Sequence, residues 1–305
     1  METVIITGGT GLIGSALTQL LISKGYSVII LSRKKHASIG NVHYALWDVK
    51  TSYIDPDAIR NADHIVHLAG AGVADKRWTD RRKKEIVSSR VESSKLIVKA
   101  LTEIDNNVKT VVSASAMGWY GPDRKDRKPF VETDPPSGDF LGTTCKLWEG
   151  SIQPVVKLNK HLVCVRTGIV FSTQGGAFKE FLKPFKGGIA AILGSGKQII
   201  SWIHIDDLCR LYLAAIENQD LSGSYNASAP DPVSNKQLML KIGKARNHPF
   251  IPVHVPEFAL KIILGEMSIE VLKSATMDDS KIRNAGFNFI FPTIDAALND
   301  LIRRR

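Results

Sequence analysis

Residues 7–14 read TGGTGLIG, that is Thr7-Gly8-Gly9-Thr10-Gly11-Leu12-Ile13-Gly14, between a short apolar run, Val4-Ile5-Ile6, and a helix-like segment from Ser15 to Lys24. Two glycine patterns overlap there, Gly9-x-Gly11-x-x-Gly14 and Gly8-x-x-Gly11-x-x-Gly14, at the end of the first expected strand, where a dinucleotide-binding turn belongs. Such a turn needs one glycine for its bend, another so that backbone can approach a pyrophosphate, and a third so that helix and strand pack closely. Free N–H groups at the helix start, backed by the positive end of the helix dipole, then face the phosphates. Residues Thr7 to Gly14 are therefore expected to line a cofactor. A glycine-rich surface turn without a ligand is the plain alternative, and the strand-turn-helix context argues against it.

The end of the second strand selects the dinucleotide. Tyr26 to Leu31 (YSVIIL) reads as a buried strand after the turn at Gly25. An NAD site usually places an acid about 20 positions beyond the glycines, on the ribose 2′-hydroxyl. This chain instead offers Ser32, Arg33 and Lys34. A carboxylate there would repel a 2′-phosphate, whereas a guanidinium pairs with it and stacks on adenine. The expected cofactor is NADP, with Ser32 and Arg33 at the phosphate; solvated loop cations are the alternative.

The 305 residues, 44% hydrophobic and 23% charged, have ordinary globular composition. A net charge of +10 raises the question of nucleic acid, but the cations are spread along the chain and lie on no nucleic-acid motif. The densest runs, Lys76 to Lys84 and Arg124 to Lys128, each contain an acid and read as solvated faces or an anion-attracting lip. Cys145, Cys164 and Cys209 are odd in number and widely spaced, which fits a reducing cytoplasm and no disulfide framework. The eight histidines are scattered, so no metal is expected. No apolar run approaches the roughly 18 residues of a membrane span, and the N-terminus enters the first strand without a leader, so a cytoplasmic protein is expected.

Further along, Val42 to Trp47 reads as a third strand ending at Asp48, which is placed either at the adenine amino group or in a loop-capping role. Ala62 to Leu68 reads as a fourth, ending in Ala69-Gly70-Ala71-Gly72, where small residues let backbone lie against a ribose or nicotinamide, or simply form a turn. Leu68, Ala69 and Gly70 are thus candidate cofactor contacts. Thr79 to Ile104 has helical apolar spacing with a basic outer face, and Val108 to Val112 forms a fifth strand delivering Ser113-Ala114-Ser115 to the carboxyl edge, where open α/β sheets bind ligands. Leu162 to Phe171 reads as a sixth, with Thr167 at a cofactor-facing end. The alternation specifies an α/β fold, a Rossmann-type doubly wound parallel sheet with a smaller C-terminal substrate lobe. The expected division is 1–172, with 204–230 returning to it, and a lobe of 173–203 and 231–305.

GSGK at 194–197 fails as a P-loop, because Ala191 and Gln198 stand where Gly and Ser or Thr are needed; it reads as a tight turn. Asp206 or Asp207 is expected to cap the helix running to Ile216, with His204 packed behind. Met267 to Leu272 is a candidate lid, and Arg303 to Arg305 suit the end of the last helix.

Over nearly its whole length the chain resembles the extended short-chain dehydrogenase/reductases, the group that includes nucleotide-sugar epimerases and dehydratases. The matching pieces are TGGTGLIG, HLAGAG at 67–72, SASAMGWYG at 113–121, VRTGIVFS at 165–172 and SWIHIDDL at 201–208. More closely it is similar to the atypical YfcH-like epimerase subfamily, whose members carry a C-terminal domain of unknown function. ADKRWT at 74–79, NASAPDPVSN at 226–235, Ile263 to Met267, and AGF with FPT in 285–293 point there. The resemblance implies a tyrosine acid/base, a lysine four residues later that lowers its pKa and binds the ribose, and a serine that holds the substrate oxygen. Ser115 matches the serine and Lys146 stands about where the lysine belongs, but Gly142 occupies the tyrosine position and has no proton to give.

Three outcomes stand open. Tyr120, in GWYG, supplies the phenol with Lys146 depressing its pKa; Ser115 and a water protonate less efficiently; or no hydride moves. Tyr120 also reads as a packed aromatic closing the turn before Gly121-Pro122. Two functions follow: an NADP-dependent oxidoreductase or epimerase-like enzyme on a small polar, nucleotide-linked substrate, or a non-catalytic NADP(H)-binding regulator. Long helices around 79–104 and 146–158 resemble those that pair subunits in the family, so a homodimer is a further expectation; no nucleic-acid or membrane partner is expected.

Overall fold

The computed structural model describes residues 1–304. Strands β1 (Thr3–Thr7), β2 (Ser27–Ser32), β3 (Val42–Asp48), β4 (Tyr53–Ile54), β5 (His64–His67), β6 (Thr110–Ala116) and β7 (His161–Thr167) build the central sheet. They alternate with α1 (Leu12–Ser23), α2 (Pro56–Arg60), α3 (Asp80–Glu103) and α4 (Phe140–Ile152). The remainder holds β8 (Ile169–Phe171), α5 (Gly176–Leu182), β9 (Ile189–Leu193), β10 (Ile199–Ile200), β11 (Trp202–His204), α6 (Ile205–Glu217) and β12 (Gly223–Ala227). It closes with β13 (Val233–Ser234), α7 (Asn235–Ala245), β14 (Ile251–Val255), α8 (Glu257–Leu264), α9 (Ser268–Leu272), α10 (Ser280–Asn284) and α11 (Ile294–Arg303).

The main sheet runs β12-β7-β6-β5-β1-β2-β3-β4, parallel except for the β3–β4 pair. The chain moves outward from β1 to β3 and then returns to place β5 on the other side of β1. The crevice at this reversal, where doubly wound sheets take their ligands, lies at the TGGTGLIG turn. Both sheet faces are buried, so the strands read as continuous apolar runs with alternate residues going to opposite cores. Val4, Ile6, Val28, Ile30, Val112 and Val165 pack with α1 and α6, whereas Ile5, Ile29, Ile65, Val111 and Leu162 pack with α3.

A separate core of Phe171, Phe178, Trp202, Leu238, Ile294 and Leu301 organises the C-terminal lobe. The expected single strand through Phe171 is two, broken at Gly168. A side chain there would put Cβ 2.7 Å from the Ser201 carbonyl oxygen, so the chain can leave the main sheet for the β8–β11 pair only at a glycine. Ile282 and Phe287, expected in the lobe, join the core of the main sheet instead. The second long helix begins at Phe140, six positions earlier than expected, because Asp139 caps it by accepting from the Gly142 N–H at 2.7 Å.

Two capping expectations are corrected. His204 itself caps α6, its Nδ1 accepting from the Asp206 N–H at 3.1 Å. Asp207 is fully buried and accepts the backbone N–H groups of Ile290 and Phe291 at 2.8 and 2.9 Å. Arg304 does more than finish the last helix: it reaches Asp206 at 2.6 Å and Asp300 at 2.7 Å, tying α11 to α6. Arg305 lies outside the described residues. Gly194 and Gly196, with φ of 55° and 70°, make the expected turn between β9 and β10. Among the described residues no helix is long and apolar enough to cross a membrane.

Candidate active site at the carboxyl edge

Three of the four glycines of the turn, Gly8, Gly9 and Gly14, are explained by a neighbour. Gly8 has φ of 69°, and a Cβ on it would lie 3.1 Å from the Leu68 carbonyl carbon. A Cβ on Gly9 would meet the Ile30 side chain at 2.8 Å, and one on Gly14 would sit 2.4 Å from the Gly8 oxygen and 2.6 Å from the Gly9 Cα. Gly11 caps α1 without a side-chain partner and faces outward, as does Thr10. The first N–H groups of α1, including those of Leu12 and Ile13, therefore open onto the crevice with no acid in the first turn. Such free N–H groups at a helix start are the donors that a phosphate can use.

At the end of β2, the Ser32 hydroxyl accepts the Lys34 N–H at 3.1 Å, turning the chain. Arg33 and Lys34 are exposed, and neither has an ion-pair partner among the described residues. Asp48 takes the loop role, its carboxylate accepting from the Lys50 N–H at 2.9 Å.

The β1 and β5 ends are held in register by Thr7. Its hydroxyl oxygen accepts the N–H groups of Leu68 and Ala69, both at 3.0 Å, which leaves its own hydrogen to donate to His67 Nδ1 at 2.8 Å. His67 then carries its proton on Nε2, facing Ser94 at 3.1 Å. Complete burial pushes its pKa down to about 3, so it stays neutral. The small residue at 70 has a different cause from the one expected: a Cβ there would lie 3.1 Å from the guanidinium carbon of Arg90, which fills that space.

The three expected catalytic side chains are not brought together. The Ser115 hydroxyl donates to Glu149 at 2.6 Å, beneath α4, instead of facing the edge. Glu149 also holds Arg166 through two bonds, Nε at 2.8 Å and Nη2 at 3.0 Å, and accepts from the Ser224 hydroxyl at 3.1 Å. Arg166 stacks on Trp119 with its guanidinium carbon 3.7 Å from the ring centre. Burial alone would lower its pKa, but the Glu149 carboxylate holds it above the ordinary value.

Tyr120 is fully buried in this network, donating to Asn226 Oδ1 at 2.7 Å and accepting from Arg166 Nη1 at 3.1 Å. Burial pushes its pKa up to about 12, the opposite of the depression a catalytic phenol needs. It stacks on Phe130 at 4.9 Å as the packed aromatic of the alternative reading. Lys146 lies on the exposed face of α4. The helical face that meets the β6 end carries Leu141 and Cys145: Cys145 Sγ sits 3.8 Å from the Ala116 oxygen, and Leu141 packs at Gly118. Burial raises the Cys145 thiol to about 12, so it is a neutral neighbour. Thr167 is buried at the end of β7, its hydroxyl donating to the Val165 oxygen at 3.3 Å.

The candidate lid is anchored across these loops. Lys273, just after α9, pairs with Glu270 at 2.8 Å and reaches the α4 cap Asp139 at 3.5 Å, and Glu266 pairs with Lys83 at 2.5 Å.

Arg90, Glu149 and Arg166 were not among the expected site residues. Arg90 stands in the apolar stripe of α3, four residues after Ile86 and seven before Ile97; a charge on a buried face was the readable signal.

A model for the NAD dependent epimerase/dehydratase family matches residues 4–142, and one for a domain of unknown function, DUF1731, matches 255–301. An epimerase family protein of Mycobacterium bovis is 34% identical, covering 97% of this chain and 96% of its own. Human epimerase family protein SDR39U1 (isoform 2), whose crystal structure was solved with NADPH, is 28% identical with a TM-score of 0.87 over the whole of both chains. A nucleoside-diphosphate sugar epimerase from Corynebacterium glutamicum is 32% identical with a TM-score of 0.79, covering 99% of this chain and 58% of that one.

Proposed function

Because the chain belongs to the epimerase family that these relatives define, we propose that it binds NADP(H) and acts as an oxidoreductase or epimerase-like enzyme on a small polar substrate. The substrate is taken to be nucleotide-linked, in line with the name of the Corynebacterium relative. The observation that carries the cofactor choice is the unpaired Arg33 at the end of β2, in line with the open turn at Gly11, and with no carboxylate at the position an NAD site would use. The human relative's NADPH agrees with it.

In this reading Gly8 to Ile13 hold the pyrophosphate, Ser32 and Arg33 the 2′-phosphate, and Leu68 and Ala69 are fixed by Thr7 under the ribose. When bound, NADP(H) supplies a hydride at its nicotinamide carbon. The protein aligns that group, excludes water with the segment anchored by Lys273, and offers no phenol on the face of α4. A homodimer through the outer faces of α3 and α4, where Leu147 is exposed, is part of the same proposal.

Arg33→Ala is expected to weaken NADPH binding about ten- to a hundredfold while leaving NADH unchanged, since a charge-assisted contact to phosphate is removed. Equal loss for both cofactors, by calorimetric titration, would show the choice to be wrong.

The second reading, an NADP(H)-responsive regulator without turnover, is favoured by Leu141 and Cys145 standing where a proton donor would have to be. The two separate on label transfer. NADPH deuterated at the transferable position is incubated with the protein and a metabolite extract, and small molecules are read by mass spectrometry. A labelled metabolite, formed equally by wild type and Tyr120→Phe, is the expected result. Loss of label in the variant alone, with its fold intact, would restore Tyr120 as the acid, and tight NADPH binding with no label in any sample supports the regulator.

A further inference from the structure

Arg90 is only partly exposed and has no ion-pair partner among the described residues. Arg90 points from the buried face of α3 to the β5 end, where Nη1 donates to the Ala71 oxygen at 3.0 Å and to the Ile86 oxygen at 2.9 Å. Its guanidinium carbon lies 4.9 Å from the ring centre of Trp148, on α4, and against Gly70. No carboxylate pairs with it among the described residues, and Nε and Nη2 have no hydrogen-bond partner among them. The guanidinium is half-buried with no acid beside it, so its remaining N–H groups are free to meet an anionic or oxygen-rich ligand.

We propose that Arg90 binds the nicotinamide-side nucleotide of the cofactor, an inference that rests on the NADP(H) reading above. The sheet order carries it. With Arg33 at the β2 end and the phosphate turn at the β1 end, a dinucleotide laid along the carboxyl edge has its second half over the next strands, β5 and β6. Arg90 is fixed there by the Ala71 carbonyl, beside the Cys145–Ala116 contact. The α4 face at this point carries Leu141 and Cys145 and brings no charge, while Lys146 is turned to solvent. Gly70 leaves the guanidinium its room. Burial also holds the Arg90 pKa below its ordinary value, as for a cation lacking its counter-charge. The planar fork suits the oxygens of a ribose and its phosphate.

Two ligands test this by titration calorimetry: NADPH, and 2′,5′-ADP, which carries the adenosine 2′-phosphate and no nicotinamide half. Arg90→Met keeps the stem and removes the charge. It is expected to weaken NADPH about ten- to a hundredfold and leave 2′,5′-ADP unchanged, with Arg90→Lys in between. Arg33→Ala weakens both ligands.

Should Arg90→Met not fold, Gly70→Ala, which displaces the guanidinium, is expected to give the same selective loss. A folded Arg90→Met that binds NADPH like wild type, or that loses both ligands equally, overturns the assignment. Failure of the wild type to bind either ligand overturns the cofactor reading, and this inference with it.

Discussion

Gly14→Ala destabilises the protein by about 3 kcal/mol or more and removes NADPH binding, although alanine is the better helix former by about 1 kcal/mol. The sign is set by what the new Cβ meets. At 2.4 Å from the Gly8 oxygen and 2.6 Å from the Gly9 Cα it collides with backbone, which cannot rotate away as a side chain can. Relief requires α1 to move off the turn, and the N–H groups proposed to hold the pyrophosphate move with it. Gly150, inside α4, has nothing within 4 Å of its Cβ position. Gly150→Ala is the matched control, expected to raise stability by about 0.5 to 1 kcal/mol. Thermal unfolding and NADPH titration of both variants check the pair, and a Gly14→Ala protein as stable as wild type would show that the helix and turn are not locked in this way.

The second large effect is expected at the ion pair that the catalytic expectation overlooked. Glu149→Ala costs about 3 to 5 kcal/mol, because it leaves the Arg166 guanidinium buried without its carboxylate. The side chains are 12% and 4% exposed, so water does little to replace the lost partner. Ser115 and Ser224 lose an acceptor at the same time. Replacing both charges, Glu149→Leu with Arg166→Met, is expected to recover much of the loss, since burying an unpaired charge accounts for most of it. Urea unfolding of the two single variants and the double variant measures the coupling; single losses that simply add would mean the pair is not acting as a unit. A further consequence concerns Ser115. With its hydroxyl hydrogen committed to Glu149, it braces β6 against α4, and the substrate-holding role expected of it has no free donor.

What was legible in the sequence is local. Glycines at fixed spacing after an apolar run specify a tight strand-to-helix turn, and in the structure Gly8 has a positive φ while a Cβ on Gly14 would meet backbone. Apolar runs alternating with helical stripes specify the doubly wound parallel sheet because both of its faces need covering. Arg33 in place of an acid points to a 2′-phosphate through charge alone.

Ser115, Tyr120 and Lys146 are not brought together for one physical reason: the placement of each depends on which way a side chain points after distant segments pack. One position along α4 turns a residue by about 100°, so Lys146 faces solvent while Cys145, its neighbour in sequence, faces the β6 end. Tyr120 is near Ser115 in the chain, yet Asn226 and Arg166, from strands far along the sequence, decide that its hydroxyl is buried and its proton held. Arg90 reaches the β5 end only because α3 packs against Gly70 and Ala71 there. Sequence alone determined the sheet, the turn and the cations after β2; tertiary packing decided which groups face the ends of β5 and β6, because that part of the edge is assembled from separate elements whose helical phase is set by contacts between them.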